Sequence, residues 1–204
     1  MTALADLKTR IASEIDRTDA TTAIANAITT AINAYKSKRL LFNESSGTLT
    51  TAASTATYST ATAAPNNLPT DIVEIDTARI TITASDRYLL EPVTFETIDG
   101  VDTSSTYTSR PVWFTWHAEA MRLYPIPDGA YTIDLRYLAT VSEETWCTRA
   151  EALIRCRAKR ELYTHYLFDP QMASLMAAAE GSEYLALRRE ANMKQSSGRI
   201  TGHD

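Results

Sequence analysis

The chain has 204 residues, of which 44% are hydrophobic and 22% are charged, and its net charge is −5. This composition is ordinary for a globular protein with a core of its own, and no apolar run approaches the length of a membrane span. The acidic excess lies in residues 42–109, where nine acidic and two basic side chains disfavour a nucleic-acid-binding surface. The N-terminus lacks the basic and apolar regions of a signal peptide, so we expect synthesis in the cytoplasm.

Two stretches near the N-terminus repeat apolar residues at helical spacing, and each repeat lines one face of a helix. They are Leu4, Leu7, Ile11 and Ile15, followed by Ile24, Ile28, Ile32 and Tyr35. Alanines beside the second set raise helix propensity and let another helix approach closely. Residues 1–41 are therefore predicted to form a pair of helices.

The next segment is biased towards Thr and Ala. Residues 48–64 read TLTTAASTATYSTATAA and run into the breaker PNNLP. Threonine is β-branched and favours strands, so we expect one or two exposed strands in a protruding hairpin, with a disordered loop as the alternative.

A change of phase marks the following strand. In DIVEIDTARITITA, Val73 and Ile75 share one face, whereas Ile80 and Ile82 are out of step with them. A β-bulge or a turn near Asp76-Thr77 reconciles the two phases, so we predict a strand with one of these irregularities there. The segment VTFETID (93–99) then predicts a short helical turn.

The most legible part of the middle region is RLYPIPDGAYTIDLRY, residues 122–137. Apolar and polar residues alternate on both sides of a turn that Pro127-Asp128-Gly129 favours. An aromatic strand, VWFTW, precedes it. These patterns predict a half-buried antiparallel meander.

Helical spacing returns after Ser142 and predicts one helix over residues 146–167. Asp169-Pro170 is a strong start signal for a last helix, with a possible break at Gly181-Ser182. From Met193 onward the periodicity is lost. The predicted fold class is α+β. A bundle of about four helices comes from residues 1–41 and 142–192, an inserted antiparallel β region spans 42–141, and an extended tail spans 193–204.

Motifs that would indicate catalysis are missing. The chain has no phosphate-binding glycine loop, no nucleophile elbow and no zinc-protease motif, so we expect no enzyme, no cofactor and no metal site. One charged pair is informative, because Arg157 and Glu161 project near the middle of an apolar helix face. They form either an intrahelical pair at the core edge or a contact with a neighbouring subunit.

The order of these elements resembles a bacteriophage head-to-tail adaptor, the connector protein that docks beneath the portal. The resemblance covers nearly the full length. It includes the early helix pair, TYSTATAAPNNLPTDIVEI before the sheet, SRPVWFTWHAEAMRLYPIPDGAYTIDLRY within it, and the closing helices. The long Thr/Ala segment departs from the family pattern.

The resemblance implies a structural virion protein at the head–tail interface, made in the host cytoplasm and arranged as a homo-oligomeric ring, a dodecamer, on the portal protein. The β region would meet the next tail component, a nozzle or tail tube protein. Genomic DNA would pass through the channel without specific binding, and the acidic β region would face either the channel or the outside. Portal docking would involve the C-terminal residues Lys194, Ser196, Ser197, Gly198, Arg199, Ile200, Thr201, Gly202, His203 and Asp204.

Two other functions are compatible with the sequence. One is a head-completion or stopper protein one layer lower in the same assembly. The other is a carbohydrate- or receptor-binding module, which Trp113, Trp116, Tyr124 and Tyr131 would suggest if they were exposed on one sheet face.

Overall fold

The computed structural model describes residues 2–61, 66–102 and 106–197. The chain divides into two compact units, Met1–Phe42 with Val141–Asp204, and Asn43–Thr140. We call them the helical unit and the β unit. The sequence analysis placed its boundaries after residues 41 and 141. The combination of helices with mainly antiparallel sheets confirms the α+β class.

The described residues form six α-helices and ten β-strands. The helices are α1 (Ala3–Glu14), α2 (Thr21–Tyr35), α3 (Phe95–Val101), α4 (Glu143–Arg149), α5 (Glu151–His165) and α6 (Pro170–Ser197). The strands are β1 (Glu44–Thr50), β2 (Thr57–Ser59), β3 (Ile72–Thr81), β4 (Arg87–Leu89), β5 (Glu91–Pro92), β6 (Thr108–Ser109), β7 (Trp113–His117), β8 (Ala120–Tyr124), β9 (Ile126–Pro127) and β10 (Thr132–Ala139).

The helical unit contains five of these helices within the described residues, rather than the four expected. The predicted helix 146–167 is divided at Ala150, whose backbone (φ −132°, ψ 32°) ends α4 and begins α5. Trp146 on α4 and Ile154 on α5 both enter the same core. Side-chain oxygens of Ser142 and Asp169 cap the starts of α4 and α6.

Helix α6 differs from its prediction at two points. It runs without a break through Gly181-Ser182, and it continues to Ser197, so residues 193–197 are helical rather than an extended tail. Adding a residue to an existing helix requires no new nucleus, so the segment MKQSS can remain helical without an apolar stripe of its own. The remaining tail, 198–204, lies outside the described residues.

The β unit is built from two four-stranded sheets and one two-stranded pair within the described residues. Sheet 1 has the order β1-β10-β3-β4, and sheet 2 has the order β2-β8-β7-β5. Both sheets contribute buried side chains to one hydrophobic cluster, among them Leu49, Ile80 and Ile133 from sheet 1 and Tyr58, Phe114 and Leu123 from sheet 2. The pairings β5–β7 and β6–β9 are parallel, and the others are antiparallel.

Two local predictions for the β unit are confirmed. The pairing of β3 with β10 shifts by one residue, since Thr77 lies opposite Arg136 while Ile75 lies opposite Tyr137, and Asp76 is the extra residue. The helical turn predicted at 93–99 is α3, and Thr94 caps its start.

The predicted meander is confirmed for β7 and β8, which pair as antiparallel neighbours, and is wrong for β8 and β10, which do not pair. Strand β8 pairs with β7 and β2 in sheet 2, whereas β10 pairs with β1 and β3 in sheet 1. The segment Pro125-Ile126-Pro127 carries the chain from one sheet to the other, and its prolines donate no ladder hydrogen bond. The alternation of apolar and polar residues is correctly explained by half-buried strands. However, both partners of β10 and the second partner of β8 come from earlier parts of the chain.

The Thr/Ala segment is also not a protruding hairpin. Its described strand residues belong to β1 and β2, which lie in different sheets, and residues 62–65 lie outside the described part. Leu49 and Tyr58 are fully buried. The Tyr58 hydroxyl donates to the carbonyl of Thr55 (2.8 Å), which holds the connecting turn against the core.

Candidate assembly surfaces

Helix α5 is the central helix of the helical unit, although it is rich in charged residues. Its residues from Glu151 to Tyr163 are all buried or half-buried, although the side chain of Arg160 is 41% exposed. Buried charges need partners, because transfer from water into a protein interior is costly. The partners come from α5 itself and from α1 and α6, and they form two ion-pair clusters.

The first cluster contains the pair singled out by the sequence. Arg157 donates to Glu161 (2.7 Å) one turn away, with 22% and 19% of the two side chains exposed. Glu180 of α6 is buried and accepts from Arg157 (3.4 Å) and Arg160 (3.0 Å). It also accepts from the hydroxyl of Tyr35 on α2.

This cluster joins three helices through one carboxylate. Burial and the hydrogen bond to the Glu180 carboxylate raise the pKa of Tyr35, because both disfavour the charged phenolate. The intrahelical pairing of Arg157 with Glu161 is present, and their contact with a neighbouring subunit stays a prediction. The sequence analysis missed Glu180, although its position on the same α6 face as Met176 and Tyr184 could have indicated a buried acid.

The second cluster surrounds Glu14 at the end of α1. Its carboxylate accepts from Arg10 (3.1 Å), Arg155 (3.2 Å) and Lys159 (3.1 Å). Burial alone would raise the pKa of Glu14, but hydrogen bonds from Lys159 and Arg10 outweigh it and lower the pKa below its usual range. These contacts fix α1 to the central helix.

One side of α6 has the character of a contact surface. Leu175 and Leu185 are 58% and 52% exposed, and every exposed residue from Pro170 to Ala186 is uncharged. Exposed apolar side chains that share one helix face typically mark a protein contact. We call this side, with Leu175, Ala178, Ser182 and Leu185, the uncharged α6 face.

The predicted portal-docking residues fall at the end of the same helix and beyond it. Lys194, Ser196 and Ser197 belong to the last turns of α6. The residues Gly198, Arg199, Ile200, Thr201, Gly202, His203 and Asp204 lie outside the described part of the chain.

The aromatic residues considered for sugar binding do not form one open face. Tyr124 is buried, and Trp113 stacks on it with ring centroids 5.8 Å apart. The indole nitrogen of Trp116 donates to the carbonyl of Val73 (3.2 Å). The Tyr131 hydroxyl donates to Asp128. The contacts of these four side chains are therefore mainly with other residues of the β unit.

Within the described residues, no group of three or more His, Cys, Asp or Glu side chains is arranged to hold a metal ion. No helix in this part of the chain has the length and apolar character needed to cross a membrane.

Comparison with known proteins gives one informative match. The family model described as SU10 adaptor protein matches residues 2–202. No curated protein matches the chain. A family match of this length favours the adaptor role over both the stopper role and the carbohydrate-binding role. The chain therefore belongs to the SU10 adaptor protein family and is a structural head-to-tail adaptor of a bacteriophage virion.

Proposed function

We propose that copies of this chain, made in the host cytoplasm, assemble into a dodecameric ring on the portal protein and connect it to the next tail component, a nozzle or tail tube protein. The chain acts by contact and not by catalysis. The observation that carries the proposal is the family match over residues 2–202. The uncharged α6 face supports it, because such a face is better suited to a protein neighbour than to water.

The C-terminal end is the part assigned to portal docking, from Lys194 onward. Ala191 near the end of α6 is buried, and the helix continues to Ser197. With 28 residues, α6 is about 42 Å long by the rise of an α-helix. A helix of this length can carry the terminal residues away from the core of the helical unit to a partner surface.

Contacts between neighbouring copies are assigned to the helical unit. The uncharged α6 face offers a narrow strip, about 25 Å long over the seventeen residues from Pro170 to Ala186. Such a strip provides less area than the roughly 800 Å² per partner of a standard stable interface. We therefore expect a monomer or weak oligomer in free solution and a ring only where the portal aligns the copies.

The pair Arg157–Glu161 is assigned to the same boundary. A shallow groove of about 260 Å³ lies between α2 and α5, and Glu161 lines it together with Ala27 and Leu162. A neighbour seated on this groove would contact Glu161 and would further exclude water from its pair with Arg157. In this proposal the subunit contact lies at a concave surface with small side chains.

Passing DNA is not a binding partner in this proposal. The β unit carries twelve acidic residues and five arginines, so its net charge of −7 repels a nucleic acid. DNA that moves through the channel during genome passage must not adhere to the protein around it.

The test is assembly on purified portal rings by a variant that lacks residues 198–204. This truncation leaves α6 intact to Ser197, so thermal unfolding should match the full chain, while attachment to the portal should be lost. A variant with the last seven residues in scrambled order is the matched control for length. Normal rings of the truncated chain, seen by electron microscopy, would show that docking lies elsewhere. A stable ring in light scattering without portal would contradict portal-dependent assembly.

A further inference from the structure

The outward side of sheet 1 has a composition unlike the rest of the β unit. Cross-strand register places two rows of side chains together on this side, Thr48, Asp134, Arg79 and Leu89 in one row and Ser46, Arg136 and Thr77 in the next. A third row adds Thr132, Thr81 and Arg87. We call these residues the outer face of sheet 1. Several of them line an open depression of about 640 Å³.

The arginines of the β unit are divided according to whether they have an ion pair. Arg110 pairs with Asp86, and Arg122 pairs with Asp99 and Asp102. Within the described residues, the other three arginines have no carboxylate within ion-pair distance, and all three are exposed on the outer face of sheet 1: Arg79, Arg87 and Arg136.

The three arginines form a diagonal line across neighbouring strands. From Arg136 to Arg79, and from Arg79 to Arg87, the line moves by one strand and by two residues along it. With strands about 4.8 Å apart and a rise of about 3.4 Å per residue, successive Cα atoms are roughly 8 Å apart. Asp134 is the one acidic residue in these rows, so the face has a local charge of +2 on a unit of net charge −7.

The difference in charge between this face and the rest of the unit indicates which kind of partner can bind there. The remaining surface of the same unit carries −9, so the outer face of sheet 1 and the rest of the unit have opposite charge. A second copy of the chain therefore presents a complementary surface. Contact between two different surfaces of identical copies is the geometry that closes a ring. A nucleic acid is disfavoured, because the long-range field of the unit is negative.

We propose that the outer face of sheet 1 docks against acidic residues in the β unit of the neighbouring copy, with Arg79, Arg87 and Arg136 as the cationic side. The inference rests on the proposed ring and adds a second subunit contact, which lies in the β unit. Each arginine pairs with a carboxylate across the boundary, and the threonine hydroxyls between them supply further hydrogen bonds. The contact gives the ring orientation and register more than raw affinity.

The first experiment reads the contact directly. Rings of the Arg79→Lys/Arg136→Lys variant are assembled on portal from an equal mixture of ¹⁴N- and ¹⁵N-labelled chains and treated with a carbodiimide. This reagent joins a lysine amine and an adjacent carboxylate in an amide bond. Mass spectrometry should find Lys at position 79 or 136 linked to an acidic residue of 43–140 in a chain of the other label. Links only within one chain, or only to portal, would overturn the proposal.

The second experiment uses charge. We expect Arg79→Glu/Arg136→Glu to unfold at the same temperature as the parent, since both side chains are exposed. The concentration at which this variant half-fills the rings on portal should be at least tenfold higher than that of the parent. The double lysine variant should fill rings normally, and Asp134→Asn should fill them at higher salt than the parent. Equal ring filling by the glutamate and lysine variants would refute the inference while leaving the ring proposal intact. Failure of the parent itself to form rings would refute the ring proposal and, with it, this contact.

A DNA-binding assay completes the test. The parent chain and the glutamate variant are titrated with a double-stranded DNA fragment at physiological salt. Neither should bind. Binding by the parent that the glutamate variant loses would assign the arginine line to DNA and overturn the contact between copies.

Discussion

The carboxylate of Glu180 is predicted to contribute strongly to the stability of the helical unit. It is buried and accepts hydrogen bonds from Tyr35, Arg157 and Arg160. The substitution Glu180→Gln keeps the side chain's shape and one acceptor oxygen but removes its charge. The change therefore tests the charge at constant packing.

The size of the effect follows from what remains after the change. Removing one partner of a fully buried ion pair costs about 3–5 kcal/mol. Here Arg157 keeps its bond to Glu161, and Arg160 is 41% exposed and can be hydrated. We therefore expect a loss of about 2–3 kcal/mol in the free energy of unfolding, which corresponds to roughly 5–15 °C in melting temperature.

Urea unfolding followed by circular dichroism at 222 nm measures this loss, because the helical unit dominates that signal. The matched control is Glu183→Gln, one turn further along α6, where a half-buried acid has no ion pair within the described residues. The control should lose less than about 0.5 kcal/mol. If both variants lost the same amount, the Glu180 charge would contribute nothing and the reasoning from buried pairing would fail.

Three other predictions concern separate features. Because the pKa of Glu14 is lowered in the folded chain, its stabilising contribution is present above its usual pKa of 4.5 and is lost as pH falls below it, so the parent's stability advantage over Glu14→Gln should shrink between pH 5 and pH 3. A persistent advantage at pH 3 would exclude the pairing with Lys159 as its source. Gly47→Ala would place a Cβ atom 2.8 Å from Cγ of Pro69 and should cost about 1–3 kcal/mol in fluorescence-monitored unfolding, whereas a cost under about 0.5 kcal/mol would mean that the proline moves aside. Arg122→Ala removes the guanidinium that holds two carboxylates of α3 and its end, and should cost about 1–3 kcal/mol and increase hydrogen exchange in α3; unchanged exchange would show that α3 is held by other contacts.

Local patterns were sufficient for much of the fold. The phase change between Ile75 and Ile80 predicted the irregularity at Asp76, since one extra residue keeps both isoleucines on the buried face. The predicted sharing of that face by Val73 is wrong, because a second register shift lies beside it and its side chain is exposed. Helical spacing predicted α1 and α2, and Asp169-Pro170 predicted the start of α6. These features depend on neighbours within a few residues, so they can be predicted from local sequence patterns.

Features that depend on distant residues were missed. One partner of β8 is β2, more than sixty residues earlier, and no alternation within 122–137 shows that β8 and β10 lie in different sheets. The role of Glu180 is of the same kind, because its partners are on α2 and α5. The outer face of sheet 1 was missed as well, since its arginines come from three strands and the segment is acidic on average.

The chain enters and leaves the β unit on adjacent antiparallel strands. β1 begins this unit and β10 ends it, and Glu44 lies directly opposite Leu138, so the two crossing points are one strand spacing apart. Genetic exchange at these two points would therefore replace the whole β unit and leave the sequence of the helical unit unchanged. In this way a virus lineage would acquire a β unit with different contacts in a single recombination event.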